Sequence, residues 1–410
     1  MAEFYTGSPI HPDELWFRDA FIKGLWATLQ TEHVLITAPR RTGKTSVMDH
    51  LADRPCQGVV TVPVFVQDLD HPGDFLLCLL DAFHDKHPSR FRSLFQVGSR
   101  WIGGVLDRVG AFEAGGFKVA LKDASPKWRE DWKSHGDDDF FALVRKKQDP
   151  AERVLFIVDE FPDLVLNMHR NHPELLRPFL AWFRGHCTKP RPRDDSIRWL
   201  LGGSVNLAST LDSLGMIDLI NALDEHRLPV LTPEEVMHFV RRMLTDRNVE
   251  LSEDLPAEVA RRLGRPIPMF MQMITQDLYR IWKRTETRLT VSDVESAFDD
   301  LIGSSSARDK LQHYYSRIAH YYDEPKRSAA HALLDQLSVT GDGLAREALR
   351  GIFERIVSDQ GTAMPEYERK QVFNELLRDL ENDFYVEEVA AGRYDFASGL
   401  LKAWWRKYYA

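Results

Sequence analysis

His33-Val34-Leu35-Ile36-Thr37 runs directly into Ala38-Pro39-Arg40-Arg41-Thr42-Gly43-Lys44-Thr45-Ser46, and the reading of this stretch decides the fold. The first five residues form a short apolar run suited to a buried strand, and 46–52 continues with a helical pattern. The connecting loop matches the phosphate-loop pattern G-x-x-x-x-G-K-[ST], except that Ala38 stands where the first glycine usually is. The physics survives that change. Backbone N–H groups near Gly43 and at the helix N-terminus face a site where the helix dipole favours an anion. Lys44 can bridge β- and γ-phosphates, and the Thr45 hydroxyl can hold magnesium. The candidate nucleotide contacts are therefore Ala38, Pro39, Arg40, Arg41, Thr42, Gly43, Lys44, Thr45 and Ser46. The alternative is a lysine in an ordinary strand–helix turn, which the agreement of strand, loop and helix disfavours.

Outward from this loop, short β-type runs alternate with helical patterns, the mark of a layered α/β domain with a parallel sheet and helices on both faces. The expected strands are 59–66, 154–158, 198–201 and, as a fifth, Leu228-Pro229-Val230-Leu231. Helices are expected over 72–86, 138–147 and 173–187. Val154 to Val158 is apolar throughout, as a central strand covered on both faces should be. It ends in Asp159-Glu160. Two acids after a strand are an ordinary capped strand by themselves; beside a phosphate loop they read as a Walker B element. At the carboxyl end of a central strand both reach the crevice where ligands bind. Asp159 is then the magnesium-site residue, and Glu160 the group that orients and deprotonates the attacking water. The run Leu200-Leu201-Gly202-Gly203-Ser204-Val205-Asn206 is another strand ending in small and polar residues. It offers Ser204, ahead of Asn206, as a γ-phosphate sensor, or else a plain glycine turn. An irregular stretch, about 96–132, reads as an insertion containing a β-ribbon at 116–123.

From Thr232 the strand signals stop. Thr232-Pro233-Glu234-Glu235 has a capping hydroxyl, proline at the first helical position and a carboxylate placed for a capping box. Amphipathic helices are expected over 234–246, 256–263, 268–283 and 291–301, a small helical bundle. Helix-rich sequence follows, then a hairpin formed by 383–389 and 393–396 about Ala391-Gly392, and a last helix over 399–408. Helices followed by a hairpin form the pattern of a winged helix. The implied division is 1–231 for the α/β domain, 232–310 for a lid and 311–410 for the terminal domain.

At 410 residues the chain has room for two to three domains. Hydrophobic residues make up 43% and charged residues 28%, which excludes intrinsic disorder as the main state. The formal charge of −9 argues against a nucleic-acid coat protein. Three cysteines, far apart, offer neither a disulfide framework nor a zinc ribbon. No signal-peptide pattern opens the chain and no run approaches ~18 apolar residues. The expectation is a soluble cytoplasmic protein without membrane contact.

The combination APRRTGKTS, VLFIVDEFPDL, LLGGSVNL, LGRPIPMFMQ and YDFASGLLKAWWRKYY resembles the archaeal-type ATPase family, within the AAA+-related STAND class of signal-transduction ATPases. The resemblance runs nearly end to end. It implies a P-loop AAA+ sheet, a helical lid, a C-terminal winged helix, and ATP or ADP with Mg2+ as cofactors. In similar proteins the segment around Trp16-Phe17-Arg18 lies against adenine, so Arg18 becomes a candidate base or ribose contact. Gly264-Arg265-Pro266 looks like the lid's Gly-x-Pro element, which makes Pro266 a candidate nucleotide contact. Arg227 stands near where an arginine finger is expected in related proteins, although this class often lacks one.

Winged helices commonly bind DNA through a recognition helix. Here the candidate helix, 366–380, mixes charges of both signs, and the wing carries Glu387-Glu388. Phosphate contact needs net positive surface, so DNA is a possible partner but not the favoured one. A protein partner or self-association fits better, and the terminal tryptophans and tyrosines read as core or interface groups. Three functions stay open: an ATP-hydrolysing switch that repositions lid and winged helix, a nucleotide-locked scaffold, and a DNA-acting ATPase.

Overall fold

Five strands, His33–Thr37 (β1), Val59–Phe65 (β2), Arg153–Asp159 (β3), Ile197–Gly203 (β4) and Leu223–Arg227 (β5), make one sheet in the order β2-β3-β4-β1-β5. Every pairing in it is parallel. The computed structural model describes residues 3–5, 10–11, 14–88, 126–145, 152–188, 196–203, 207–361 and 363–410. Two compact units divide the chain: His11–Ala38 with Lys44–Leu228, and Met1–Ile10 with Pro39–Gly43 and Pro229–Ala410.

In the first unit the period-2 alternation of the central strands feeds two separate cores, one on each face of the sheet. Val34, Ile36, Leu155, Ile157 and Leu200 pack with Ile22, Leu25 and Leu29 of helix α1 (Asp19–Leu29) and Val47, Met48 and Leu51 of α2 (Lys44–Asp53). Leu35, Phe156, Val158, Trp199 and Leu201 face the other way. They meet α3 (Pro72–Lys86), α4 (Phe161–Asn171) and α5 (Pro173–Thr188). Aromatic pairs reinforce this second core: Phe156 stacks on Trp199 at 4.9 Å, and Phe75 meets Phe179 edge to face at 5.4 Å. Burial on both faces is why these strands read as unbroken apolar runs.

The fifth strand is Leu223–Arg227 and not the apolar 228–231 expected from the sequence. Among the described residues it pairs only with β1 and lies mostly in solvent, so its Leu-Asp-Glu-His-Arg carries no apolar signal. The Leu228 N–H still donates to the Thr37 carbonyl at 2.9 Å, and Pro229, lacking an N–H, stops the ladder there. The other outer strand, β2, carries Pro63 on its exposed side. The expected helix 138–147 is also revised: it is a π-helical turn, His135–Phe141, leading into Ala142–Arg145. Residues 126–130, placed in the irregular stretch by the sequence reading, are helical, and Trp128 is fully buried in the second core. The expected β-ribbon at 116–123 lies outside the described residues.

In the second unit the first four helices stand close to the spans expected from the sequence. They are α6 (Pro233–Thr245), α7 (Leu255–Leu263), α8 (Pro268–Thr285) and α9 (Val291–Gly303). The Thr232–Glu235 capping box forms as its spacing predicts. The N-terminal segment docks on α8: the Tyr5 N–H donates to Gln272 Oε1 at 2.6 Å, and Phe4 lies beside Tyr279 with the Arg247 guanidinium over both rings. Then come α10 (Ser305–Tyr321), α11 (Lys326–Val339), α12 (Arg346–Asp359) and α13 (Glu366–Asn382). The hairpin Val386–Ala390 (β7) and Arg393–Phe396 (β8) joins a two-residue strand, Leu344–Ala345 (β6), in the order β6-β8-β7. Helix, strand, two helices and hairpin is the winged-helix order. The last helix, α14 (Gly399–Tyr408), has Trp404 and Trp405 fully buried, and Tyr315 stacks on Tyr409 at 3.8 Å. The terminal aromatics thus belong to the core of this unit.

Candidate active site

β4 lies between β1 and β3, so any contact from the residues after β1 to the end of β3 must cross the carboxyl end of β4. Lys44, the first residue of α2, makes that crossing. Its ammonium donates to Asp159 Oδ1 in a short ion pair, and the Thr45 hydroxyl donates to Asp159 Oδ2 at 2.7 Å. The Lys44 ammonium also lies 3.9 Å from Glu160 Oε2. The four residues singled out as chemically active therefore converge at one place.

Gly202 on β4 makes the crossing possible. A Cβ there would stand 2.6 Å from Asp159 Oδ1, 2.7 Å from the Met48 sulfur and 3.0 Å from Lys44 Nζ. The sequence reading saw only a small residue in a turn at this position; its role follows from the strand order. Gly202→Ala is expected to displace the Lys44–Asp159 pair. Misplacement of about 1 Å costs on the order of 10²-fold in rate, so in folded Gly202→Ala protein the ATP turnover expected from the sequence should fall by about that factor. Wild-type turnover would mean that the pair has room to shift.

Asp159 is buried, which by itself would raise its carboxyl. The Lys44 charge, with hydrogen bonds from Lys44, Thr45 and the Glu160 N–H, outweighs burial and holds it below the ordinary carboxylate range. Asp49, half-buried on α2, goes the other way: burial first, then the Asp159 and Asp53 charges, push it up. Glu160 is the N-cap of α4 and adopts the left-handed conformation, φ 58°, which is uncommon for a residue with a Cβ. Such backbone strain clusters at functional positions.

The loop itself is tightly turned. Gly43 has φ 94°, a conformation that costs other residues but not glycine. The Thr42 hydroxyl donates to the Pro39 carbonyl at 2.6 Å, and the Ala38 N–H donates to Gly203 O at 3.3 Å. Ser46 is buried on α2. Arg40 and Arg41 line a cavity with residues of α10 and with Asp383 and Tyr385. Arg18 is buried at the start of α1, directly after Phe17, whose φ is 62°. Gly264 and Arg265 meet the chain just before α14, where the Arg265 N–H donates to Ala397 O at 2.7 Å. Arg227 is exposed at the end of β5. Ser204 and Asn206 lie outside the described residues.

Thr45 and Asp159 are hard oxygen donors of the kind Mg2+ accepts alongside water and phosphate oxygens. Among the described residues no group of three or more His, Cys, Asp or Glu could hold a metal. One hydroxyl and one carboxylate fit an ion that takes its remaining ligands from water and phosphate oxygens. Among the described residues no helix is long and apolar enough to cross a membrane.

No family model and no curated protein matches the sequence. Solved structures do match over its length. A Walker-type ATPase of Pyrococcus abyssi superposes with a TM-score of 0.61 at 15% identity, covering 98% of this chain and 99% of its own. The ORC2 protein of Aeropyrum pernix, solved as ADPNP–ADP complexes, gives 0.52 at 13% identity, covering 96% of this chain and 92% of its own. From the parallel sheet to the terminal hairpin, the chain shares its fold with these two proteins, in keeping with the resemblance seen in the sequence.

Proposed function

We propose that the protein binds and hydrolyses ATP, and that the bound nucleotide sets the disposition of the lid and winged helix toward a protein partner. The observation that carries this reading is the convergence of Lys44, Thr45, Asp159 and Glu160 at the carboxyl ends of β1 and β3. In it the β- and γ-phosphates take over the Lys44 ammonium that Asp159 now holds. Mg2+, when bound, neutralises charge on the phosphate oxygens. Glu160 accepts the proton of a water whose oxygen forms the new bond to the γ-phosphorus; the β–γ bridging oxygen leaves with ADP. Arg18 is proposed as a base or ribose contact, Pro266 as a nucleotide contact and Ser204 as the γ-phosphate sensor.

A protein partner is favoured over DNA on three observations. Between 366 and 382 five acidic residues outnumber three basic ones. Glu387 of the wing is engaged by Arg265 at 3.1 Å. The large aromatics at the chain end are buried or half-buried. The test is steady-state phosphate release by the full chain with Mg2+, with and without duplex DNA at physiological salt. Mg2+-dependent release that DNA leaves unchanged is the expected result. No release with ATP tightly bound would make the protein a nucleotide-locked scaffold. Stimulation by DNA with a steep salt dependence would make it a DNA-acting ATPase.

A further inference from the structure

The turn Gly264-Arg265-Pro266 follows α7 and meets the winged helix through backbone and side chain, all within one compact unit. The Arg265 N–H donates to Ala397 O at 2.7 Å, and Gly264 pairs with Ser398 in an antiparallel bridge. Gly264 has φ 67°, and a Cβ on it would stand 2.9 Å from Ala397 O. Beyond Arg265 the chain closes on itself. The Ile267 N–H donates to Arg265 O at 2.9 Å, which encloses Pro266 in a three-residue turn. Pro266, with its φ fixed by the ring, therefore moves with Arg265, and Arg265 moves with the segment that joins β8 to α14.

The Arg265 side chain reaches the base of the wing. Its Nη1 lies 3.1 Å from Glu387 Oε2 on β7, and its guanidinium sits 4.8 Å over the Phe384 ring. Phe384 follows α13 with φ 61°, and the next N–H, that of Tyr385, donates back to Leu380 O at 2.9 Å. Glycine is the usual residue in that left-handed capping position. Here a buried phenylalanine holds it, and its ring is the surface on which the guanidinium rests. The Arg265 charge also acts on Glu381: burial and then the Glu388 charge push that carboxyl up, while Arg346 and Arg265 draw it down. The side chains of the Arg265–Glu387 pair are 35% and 29% exposed. A pair this open to water adds little to stability; what it fixes is the place of the wing relative to the turn.

We propose that Arg265 is a positioning residue that passes the state of the nucleotide site to the wing. When Pro266 meets nucleotide, Arg265 carries the ordering of the turn to Phe384 and Glu387 and tightens the hairpin of β7 and β8. The proposal rests on the reading of Pro266 as a nucleotide contact.

The experiment follows hydrogen exchange of the wing amides, 386–396, in full-length protein without nucleotide and saturated with ADP, with ADP affinity measured by calorimetry on the same samples. ADP should slow the wing amides by about 5-fold or more, the lower end of ordinary coupling between sites. Glu387→Gln, on the wing itself, should bind ADP as the wild type does and lose the slowing. Arg265→Gln should lose it too, whereas Arg265→Lys, which keeps a cation facing Glu387, should retain it. A general stabilisation by bound ligand would act equally in the wild type and in Glu387→Gln, so the difference between them isolates the contact. If Arg265→Gln fails to fold, Glu387→Gln carries the test. The proposal is overturned if ADP binds and the wild-type wing does not respond, or if Glu387→Gln responds as the wild type does. Loss of the response in Arg265→Lys equally overturns it, because the charge on Glu387 would then not be what carries the signal. If the wild type binds no ADP, the nucleotide reading itself fails and the proposal falls with it; the calorimetry tells that failure from the others.

Discussion

Lys44→Ala is expected to weaken ATP binding by about 10²–10⁴-fold while leaving the protein folded. The lysine can make charge-assisted contacts to two phosphates, each worth ~1.5–3 kcal/mol, which sum to roughly that range. The fold should survive because Asp159 keeps two other donors, the Thr45 hydroxyl at 2.7 Å and the Glu160 N–H at 2.9 Å. The substitution also removes the cation that offsets burial at Asp159, so this carboxyl should titrate higher than in the wild type. Calorimetric titration with ATP, alongside circular dichroism and thermal melting, checks the prediction. Unchanged affinity in a folded variant would remove the phosphate-loop assignment.

The second large effect belongs to Glu160→Gln. Loss of a general base typically costs ~10²–10⁴ in rate, and an amide of the same shape should preserve the N-cap position and the turn into α4. The variant should therefore bind ATP with near wild-type affinity and fail to turn it over. Single-turnover phosphate release and an equilibrium titration read the two quantities separately. Wild-type turnover would exclude the catalytic role. Loss of binding would instead assign Glu160 to the structure of the loop, for which its left-handed backbone would be the reason.

Much of this architecture is legible in the residues because strong local signals coincide with burial. β1, β3 and β4 are apolar on both faces, and α6 begins at Thr232, which forms the capping box its spacing predicts. The hairpin and the last helix stand where the turn at Ala391-Gly392 places them. β5 escapes because an outer strand in solvent needs no apolar residues, so Leu223–Arg227 resembles a loop and its apolar neighbour resembles a strand. α4 also escapes, although its buried first six residues and its polar end give it an amphipathic pattern. Gly202 acquires its meaning only from the order of the strands. The cavity beside Arg40 and Arg41 joins residues more than 270 positions apart, and no spacing rule reaches that far.

The two outer strands of the sheet bear on how copies of this chain can associate. A bare strand edge is a template for another sheet, and proteins blunt such edges with proline and charge. Pro63 removes an N–H from β2 on one side. On the other, β5 shows Asp224, Glu225 and Arg227 to solvent. Among the described residues neither margin of the sheet welcomes continuation by a neighbour's strand. Pairing of copies through side chains elsewhere on the surface therefore stays open to this chain, while runaway growth of a shared sheet is discouraged at both ends.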